Sequence, residues 1–543
     1  MCGIVGSTIH SIRRNHLNLI ADRGPDAKGI YEDANISLGH TRLSIIDTSS
    51  GLSIQPMVDA SCALTFNGEI YNFLEISRSH LAKDESIGDT RILFDCLKTL
   101  GIEKTLPLLN GMFSFCFYDS SIKKLYLARD RVGKKPLFYL ADGRGITFSS
   151  SLSLLRKIHQ EDTFKINKDI LGFYFSTFYI PSPHTIYESV KSLQPGSFLE
   201  FDIESKKIKI TKYWEPSVVS RNRDIEEFDY LISDATKIRL RSDVPLGAFL
   251  SGGIDSTIIV GQIHDTIGSC STYTASIDDS LNEEEYARIV SQKYSTKHSI
   301  KKVAKTSLGL KDVRRLNRFF GQPFADSSIV PTEIICELIS NDVHVAISGD
   351  GSDELFMGYD KYLSTMSFEK SVFRNHTTNF LKSTQDPIDI IRESIPNFDK
   401  LSKIDKINQF DIRFFLEGDI LQKIDRLSMS KSLEVRSPFL DYRIVELALG
   451  LPLTTLISKN EGKYLLKNKV EKTFGKDFAF RKKTGFMLNI DEWRSNLDMM
   501  IRPLEHLIDA SGIFVEKFNP RVLNSYTLFS IIVFLSWLEE EFE

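Results

Sequence analysis

A polar stretch in the middle of the chain, residues 248–256, has the residue types and spacing of an anion-binding turn. An apolar run leads into it, a helical pattern follows it, and its polar and glycine residues are Ser251, Gly252, Gly253, Asp255 and Ser256. Glycines let a ligand approach the backbone closely, and a helix N-terminus presents free N–H groups to an anion. The hydroxyls add donors, and the carboxylate suits a magnesium ion between phosphates. We interpret the stretch as strand, tight turn and helix that bind phosphate; the alternative is a purely structural Ser/Gly turn. No GxxxxGK(S/T) sequence occurs, so this is not the common nucleotide P-loop.

A second stretch of this kind follows the apolar residues 343–347. It contains Ser348, Gly349, Asp350, Gly351, Asp353 and Glu354. Carboxylates and glycines at the end of a strand predict magnesium and phosphate handling, and a solvated acidic turn is the alternative. Strands alternate with helical patterns throughout this half, which predicts a parallel sheet with helices on both faces. Ligands bind at the carboxyl ends of the strands of such sheets, where both stretches would lie.

A cysteine follows the initiator methionine directly. Removal of Met1 would place a thiol and a free α-amine on Cys2. An α-amine with a pKa near 8 can accept the thiol proton, directly or through water. The pattern is that of an N-terminal nucleophile, whereas the alternative for an isolated Cys2 is a small residue at the start of a strand.

Composition and charge exclude several classes of protein. The 543 residues are 42% hydrophobic and 26% charged, which is typical of a globular protein with more than one domain. The formal net charge of -4 gives no basic surface for nucleic acid. Six scattered cysteines without a CxxC pair argue against a zinc site or a disulfide framework and favour a reducing, cytoplasmic location. No signal peptide is visible, and the apolar residues 528–538 are shorter than the roughly 20 residues that span a bilayer, so no membrane is expected.

The residue pattern of the first half predicts strands and hairpins rather than alternating strands and helices. The predicted elements are a strand at 39–47, a strand and turn at 66–72, a helix from Asp89, hairpins pairing 110–119 with 124–130 and 198–201 with 208–213, and a short first helix between Cys2 and Arg23. Residues 528–538 predict a buried final helix.

Several motifs occur in the order of one known family. They are CGI, RGPD, RLSIID, NGEIYN and RDRxGxKPLFY in the first half, and SGGIDS, PFADSS, SGDGSDE, DRLSM, EVRSPFLD and RKKTGF in the second. The chain resembles the glutamine-hydrolysing asparagine synthetases. The resemblance implies a two-domain α/β and α+β architecture. An N-terminal nucleophile αββα glutaminase sandwich (class II glutamine amidotransferase) would span residues 1–215, and a doubly wound parallel-sheet ATP pyrophosphatase domain would span residues 216–543.

The resemblance also implies the residues of a glutamine site. Cys2 would attack the side-chain amide of glutamine, and Asn67 with the backbone of Gly68 would form the oxyanion hole. The implied glutamine-binding residues are Arg42, Leu43, Ser44, Ile45, Ile46, Asn67, Gly68, Glu69 and Asp89. Among them, Arg42 would hold the α-carboxylate, and Glu69 and Asp89 the α-ammonium group. The alternatives are an interior ion pair for Arg42 and a helix cap for Asp89.

In the second half the resemblance implies an ATP and magnesium site. The implied ATP-binding residues are Leu250, Ser251, Gly252, Gly253, Asp255, Ser256, Ala275, Ser348 and Gly349. Asp255 and Asp353 would bind the metal, and Asp350 and Lys483 would be catalytic, with Lys483 neutralising charge at the α-phosphate. For Lys483 the alternative is a surface basic patch, and for Arg436 and Asp441 it is a structural ion-pair turn.

The implied reaction converts aspartate to asparagine with ammonia from glutamine, through an acyl-adenylate, releasing AMP and pyrophosphate. The ammonia would cross an internal tunnel, the partners would be small molecules, and a homodimer is compatible with the resemblance. The sequence departs from the usual family pattern at Arg91 and Ser151 (usually Glu), Ser276 (usually Gly), and Gly321 and Gln322 (usually acidic). The last two motivate an alternative acceptor, such as a sugar uronate or a natural-product acid. A catalytically silent paralogue is a third hypothesis, and an enzyme acting on tRNA is a fourth that the lack of a basic stripe disfavours.

Overall fold

The first half of the chain folds into two stacked antiparallel sheets. The structure is a computed structural model that describes residues 2–81, 88–159, 164–217, 221–277, 281–303, 309–375, 378–482 and 490–542. The strands of this half are β1 Gly3–Ser7, β2 Ala27–Glu32, β3 Ser37–Arg42, β4 Met57–Val58, β5 Cys62–Ile70, β6 Gly111–Asp119, β7 Lys124–Arg129, β8 Phe138–Asp142, β9 Gly145–Ser149, β10 Val190–Ser192, β11 Ser197–Asp202 and β12 Ile208–Lys212. They form two six-stranded sheets, in the orders β10-β8-β9-β1-β3-β2 and β12-β11-β7-β6-β5-β4.

Alternating apolar side chains fill the space between these sheets. Ile4 and Leu38 from one sheet meet Leu127 and Leu199 from the other in a single buried cluster. The helices of this half are α1 Arg14–Asn18, α2 Phe73–Ile76, α3 Asp89–Leu100, α4 Ile102–Leu108, α5 Leu152–Ile158 and α6 Leu171–Thr177. Of these, α3 and α4 cover the outer face of the second sheet. The predicted sandwich is confirmed, as are both hairpins and the short first helix.

The strand predicted at 39–47 is wrong beyond its first four residues, because β3 ends at Arg42. The Arg42 guanidinium donates to the carbonyl oxygens of Ile46 and Asp47 at 3.2 and 2.8 Å. Asp47 also has a positive φ of 56°. The chain therefore turns back on itself and forms a loop in place of a ladder.

The second half contains the predicted parallel sheet. Its strands are β13 Leu246–Phe249, β14 Ser271–Ile277, β15 Lys297–Val303, β16 Val345–Ile347 and β17 Glu434–Arg436, in the order β15-β14-β13-β16-β17. Every neighbouring pair in the sheet is parallel. The chain moves outward from β13 to β15 and then returns to the other side of β13. The topological switch point, where such sheets bind ligands, therefore lies between β13 and β16.

Helices surround this sheet. They are α7 Glu227–Arg239, α8 Ile254–Ile267, α9 Leu281–Lys293, α10 Leu310–Phe320, α11 Ile329–Ser340, α12 Ser352–Phe356, α13 Phe368–Val372, α14 Pro387–Ser394, α15 Lys403–Phe410, α16 Gln422–Met429, α17 Tyr442–Gly450, α18 Leu453–Leu456, α19 Tyr464–Phe474, α20 Lys476–Ala479, α21 Arg494–Ile501, α22 His506–Ala510 and α23 Ser525–Phe542. A π-helical segment, Asp411–Leu421, joins α15 to α16. The predicted buried final helix is α23. Within the described ranges, no helix is both long and apolar enough to cross a bilayer.

Helix α6 packs inside the second half although it belongs to the first half in sequence. Its Phe175 ring lies 5.3 Å from that of Phe380 and 5.5 Å from that of Phe534. The Tyr174 hydroxyl donates to the carbonyl oxygen of Ser530 on α23 at 2.8 Å. One continuous hydrophobic core therefore includes residues from both sides of position 215. The division of the chain at 215/216 stays a prediction.

Candidate active sites

The predicted glutamine site is a cleft at one edge of the sandwich. It encloses about 290 Å³ of space, part of it open to solvent, and its lining residues are Cys2, Arg42, Leu43, Ile45, Ile46, Gln55, Phe66, Gly68, Glu69, Asp89 and Thr90. Eight of these residues carry a predicted role. Ser44 and Asn67 are not among the lining residues. Gln55, Phe66 and Thr90 line the cleft but carried no prediction.

Cys2 sits at the start of β1, against two neighbouring strands. The Cys2 backbone nitrogen donates to Asn67 Oδ1 at 3.2 Å, which places the predicted oxyanion-hole residue next to the predicted nucleophile. Gly68 has a φ of +154°, and a Cβ there would lie 2.0 Å from the carbonyl oxygen of Met112, so the tight strand pairing requires glycine. Burial is the main cause that raises the pKa of the Cys2 thiol. The thiol therefore needs a base to become a nucleophile.

Two carboxylates, Glu69 and Asp89, line the same cleft. Asp89 is the first residue of α3, where it accepts from the backbone nitrogens of Ile70 at 3.0 Å and Thr90 at 2.7 Å. Burial raises the pKa of Asp89 to about 6. Burial, followed by the charges of Asp89 and Glu434, raises the pKa of Glu69 well above its ordinary value. Two buried carboxylates close together favour the binding of a cation between them, and an α-ammonium group is such a cation.

The two loops predicted to bind nucleotide meet at the edge of the parallel sheet. The loop 250–253 joins β13 to α8, and the loop 348–351 joins β16 to α12. The Ser352 hydroxyl donates to Asp255 Oδ1 at 2.7 Å across the gap between the loops. A Cβ on Gly349 would lie 2.8 Å from that of Asp255, so glycine lets the loops meet. Leu250 and Ala275 are buried beneath them.

The two predicted metal ligands share one cation in the structure. Lys463 Nζ lies 2.7 and 2.6 Å from the two carboxylate oxygens of Asp255 and 2.7 Å from Asp353 Oδ1. Both aspartates thus point at one position, and hard oxygen donors of this kind suit Mg²⁺. No group of three or more His, Cys, Asp and Glu side chains within the described ranges could hold a metal. The pair fits a metal that takes its remaining ligands from phosphates and water.

Lys483 lies outside the described residues, and its predicted role stays a prediction. The preceding Arg481 packs its guanidinium 3.8 Å from the ring centre of Tyr286 and donates to the carbonyl oxygen of Gly252. This contact carries the chain to the edge of the first glycine loop.

Lys134, from the first half, reaches the second glycine loop. Its Nζ donates to Ser437 Oγ at 2.8 Å and lies 3.9 Å from Asp350 Oδ2. Ser437 Oγ lies 2.9 Å from Ser348 Oγ, which donates to Asp350 at 2.7 Å. Burial is the main cause that lowers the pKa of Lys134 to about 8. The predicted catalytic carboxylate of one half therefore faces an ammonium group of the other.

A buried ion cluster ties Cys2 to the second half. Arg23 Nε donates to the carbonyl oxygen of Cys2 at 3.2 Å, and its two terminal nitrogens donate to Asp425 at 2.8 and 3.2 Å. Lys135 donates to the same carboxylate at 3.2 Å. Burial alone would raise the pKa of Asp425, but the charges of Arg23 and Lys135 bring it below its ordinary value.

Arg436, on β17, forms a second link. It donates to Glu434 Oε1 at 2.6 Å and lies 3.7 Å from Glu69 Oε1 at the glutamine cleft. Its carbonyl oxygen accepts from the Ser348 nitrogen at 2.8 Å. Arg436 and Asp441 are therefore ion-pair residues, as the structural alternative predicts; Asp441 pairs with Arg239 at 3.0 Å.

Four of the five departures from the usual family pattern have local structural explanations. Arg91 pairs with Asp95 at 3.1 Å along α3, and Ser151 caps α5 by accepting from the Leu154 nitrogen. Gly321 has a φ of 70° and packs against α5 residues 152 and 153. Gln322 accepts from the Ile186 nitrogen at 3.2 Å. Ser276 is a buried residue of β14, and nothing in the structure explains why serine stands there.

A cysteine cleft joined to a parallel α/β domain is the arrangement of glutamine amidotransferases that carry a second, nucleotide-dependent domain. The amino-acid sequence agrees, since the profile of the glutamine amidotransferase domain matches residues 1–214 and that of asparagine synthase matches residues 227–525. The chain belongs to the asparagine synthase family. ATP-dependent amidation with glutamine as the nitrogen donor is the chemistry of the glutamine-hydrolysing family.

Similar proteins extend over most of the chain. A putative asparagine synthetase (glutamine-hydrolyzing) 2 of Methanocaldococcus jannaschii is 33% identical over 399 residues, covering 67% of this chain and 76% of that protein. Asparagine synthetase (glutamine-hydrolyzing) 1 of Bacillus subtilis is 28% identical over 614 residues, covering 99% of this chain and 96% of the relative. A solved glutamine phosphoribosylpyrophosphate amidotransferase from B. subtilis is 13% identical, covers 64% of this chain and 81% of that chain, and has a TM-score of only 0.29.

Proposed function

We propose that the protein amidates aspartate to asparagine with ammonia from glutamine, through an acyl-adenylate, and releases AMP and pyrophosphate. The observation that carries the proposal is the direct linkage of two centres. Arg23 joins Cys2 to Asp425 on α16, and Arg436 lies 3.7 Å from Glu69 in the cleft while its carbonyl oxygen accepts from the Ser348 nitrogen in the loop after β16. An enzyme that consumes glutamine at one centre and uses the nitrogen at another needs such a connection.

At the first centre, removal of Met1 frees the Cys2 amine, which the side-chain oxygen Oδ1 of Asn67 would hold at its present 3.2 Å contact. The amine accepts the thiol proton, and the thiolate attacks the glutamine amide carbon. Asn67 Nδ2 and the Gly68 N–H stabilise the oxyanion that develops. The protonated Cys2 amine returns the proton to the departing nitrogen, ammonia leaves, and water hydrolyses the thioester to glutamate and the free thiol. Arg42, Glu69 and Asp89 all line the cleft, and together they would select an α-amino acid.

At the second centre, the acceptor carboxylate attacks the α-phosphorus of ATP, and pyrophosphate leaves. Gly252, Gly253 and the N-terminus of α8 receive phosphate oxygens. Mg²⁺ held by Asp255 and Asp353 would supply charge neutralisation between phosphates. Ammonia that travels through the protein interior then attacks the acyl carbon, and AMP leaves. Asp350 accepts the proton that the nitrogen must lose, and the Lys134 ammonium group lies 3.9 Å from its carboxylate.

The same chemistry on another carboxylate, such as a sugar uronate or a natural-product acid, is the competing proposal. Gly321 and Gln322 motivated it, but both side-chain positions are taken up by contacts with residues 152–153 and 186. Their identity thus serves packing between the halves, which weakens the argument for a different acceptor.

An acceptor panel tests the proposal. The full chain is incubated with ATP, Mg²⁺ and ammonium chloride, and pyrophosphate release is compared for aspartate, glutamate, a uronate and no acceptor. We expect aspartate-dependent release with AMP in equal amount. Release with a different carboxylate alone would replace aspartate as the acceptor, and no release with any of them would contradict the proposed second centre.

A Cys2→Ala variant serves as the matched control for the first centre. It should lose glutamine hydrolysis and glutamine-dependent synthesis while ammonium-dependent pyrophosphate release continues. Glutamine hydrolysis that survives this change would contradict the role of Cys2. Glutamine hydrolysis by the unaltered protein would dispose of the catalytically silent alternative.

A further inference from the structure

The ammonium group of Lys463 occupies the position at which both predicted metal carboxylates point. Its Nζ is within 2.7 Å of three oxygens of Asp255 and Asp353. The Lys463 side chain is only 6% exposed, and those of the two aspartates are 20% and 16% exposed. An ammonium ion and a divalent cation repel each other strongly at such a partly buried position, so the two cannot share the pair.

The backbone around Lys463 is built to deliver this side chain. Lys463 has a φ of 53°, and Met357 opposite it has a φ of 58°, both in a region that residues with a Cβ rarely adopt. The Lys463 nitrogen donates to the carbonyl oxygen of Phe356, at the end of the helix that carries Asp353, at 3.1 Å. A Cβ on Gly358 would lie 2.3 Å from Lys463 Cε and 2.0 Å from Asp353 Oδ1. Two strained residues and a required glycine at one point are typical of a functional site.

A purely structural ion pair would not require this backbone strain. A functional role explains it better, since the carboxylates lie at the edge of the sheet where ligands bind. The electrostatic environment at this edge changes when a nucleotide binds, since the phosphates bring several negative charges close to the ammonium group of Lys463. Lys463 then has a second anionic partner, and its four-carbon stem can carry the ammonium to it. Among the residues that the structure describes, the ion pairs of Lys463 are those with Asp255 and Asp353, so without nucleotide the loss of these carboxylates would leave its ammonium group uncompensated.

We propose that Lys463 prevents free divalent cations from binding to the Asp255–Asp353 pair. The metal binds to the pair only when nucleotide phosphates bind nearby and the ammonium group of Lys463 moves from the carboxylates to them. The metal and the nucleotide are thereby made to bind together. The inference rests on the proposed use of ATP at this edge, but not on the identity of the acceptor.

Manganese binding without nucleotide tests the first part. Free Mn²⁺ is measured by electron paramagnetic resonance as MnCl₂ is added to the full-length wild type, Lys463→Met and Lys463→Gln. We expect weak binding to the wild type and a gain in affinity of about tenfold or more in both variants, because the competing charge is gone. Adding Asp353→Asn to Lys463→Met should remove the gain, which assigns it to this pair.

Lys467→Met is the matched control, since Lys467 lies one turn further along α19 and pairs with Glu461. It should bind Mn²⁺ like the wild type. Glutamine hydrolysis, which belongs to the other centre, reports that each variant is folded. Folded Lys463 variants without a gain in Mn²⁺ affinity would overturn the proposal.

The second part is tested on the wild type with α,β-methylene-ATP, which resists cleavage between the α and β phosphorus atoms. The analogue should raise the Mn²⁺ affinity of the wild type by far more than that of Lys463→Met. Tight Mn²⁺ binding to the wild type without nucleotide would also overturn the proposal. If the analogue binds neither protein while the variants still gain Mn²⁺, the proposed ATP function fails but the cation exclusion stands.

Discussion

Replacement of Asp425 by asparagine tests the buried link between the Cys2 cleft and the second half of the chain. The Asp425 carboxylate receives Arg23 through two hydrogen bonds and Lys135 through a third, and its side chain is 2% exposed. Asparagine preserves the size but removes the charge, so three buried cations, Arg23, Lys135 and Arg426, lose their partner. Loss of one member of a buried ion pair costs about 3–5 kcal/mol.

The same change should affect chemistry, because Arg23 also donates to the carbonyl oxygen of Cys2 at 3.2 Å. We expect Asp425→Asn to unfold at lower urea concentration and to lose more glutamine-dependent than ammonium-dependent synthesis. The ratio of glutamate to pyrophosphate formed measures this uncoupling. Urea unfolding is followed separately by tryptophan fluorescence and by glutamine hydrolysis, since a chain of this size need not unfold in one step.

Asp142→Asn is the matched control on the surface. Asp142 also pairs with an arginine, Arg144, but that arginine is 66% exposed, and exposed pairs contribute about 0–1 kcal/mol. The reasoning would be refuted if Asp425→Asn unfolded within about 1 kcal/mol of the wild type and kept the wild-type ratio of glutamate to pyrophosphate.

Three further predictions concern the two centres. Burial raises the pKa of Asp89 to about 6, and the protonated carboxyl cannot pair with the glutamine ammonium group. The KM of glutamine hydrolysis should therefore rise as the pH falls from 7.5 to 5.5. Asp89→Asn should raise KM and flatten this dependence, and an unchanged profile would contradict the assignment. Gly358→Ala would place a Cβ 2.0 Å from Asp353 Oδ1, so pyrophosphate release should fall about tenfold or more while glutamine hydrolysis continues; normal release would show that the loop relaxes. Lys134→Met should slow ammonium-dependent synthesis and shift its pH profile, with glutamine hydrolysis retained, and an unshifted profile would refute the contact with Asp350.

Local patterns in the sequence were sufficient for the strands of both hairpins and for the two loops that contain glycines. A run of apolar residues that ends in Gly252 and Gly253 specifies strand, turn and helix over a few positions, and the same holds for the loop after β16. The limit appears at Arg42, where the strand prediction failed beyond residue 42. The side chain of Arg42 binds carbonyl groups four and five residues later, and apolar periodicity carries no information on such a bond.

Contacts between distant positions could not be predicted. Lys463 meets Asp255 across 208 residues, and Arg23 meets Asp425 across 402. No pattern around Lys463 marks it, apart from a preceding glycine. Gln55 and Thr90 line the glutamine cleft because of loop and helix placement, which their own sequence surroundings do not encode.

The position of α6 has a consequence for how this chain can be divided. Residues 171–177 supply aromatic rings that pack on Phe380, Phe414 and Phe534, so they complete a core formed largely by the later sequence. A fragment beginning at residue 221 would open that core to water, and a fragment ending at residue 217 would expose the same rings. Exchange of the glutaminase half between related enzymes would therefore succeed only if the crossover preceded α6. This helix would then stay with the later part of the sequence, on which it packs.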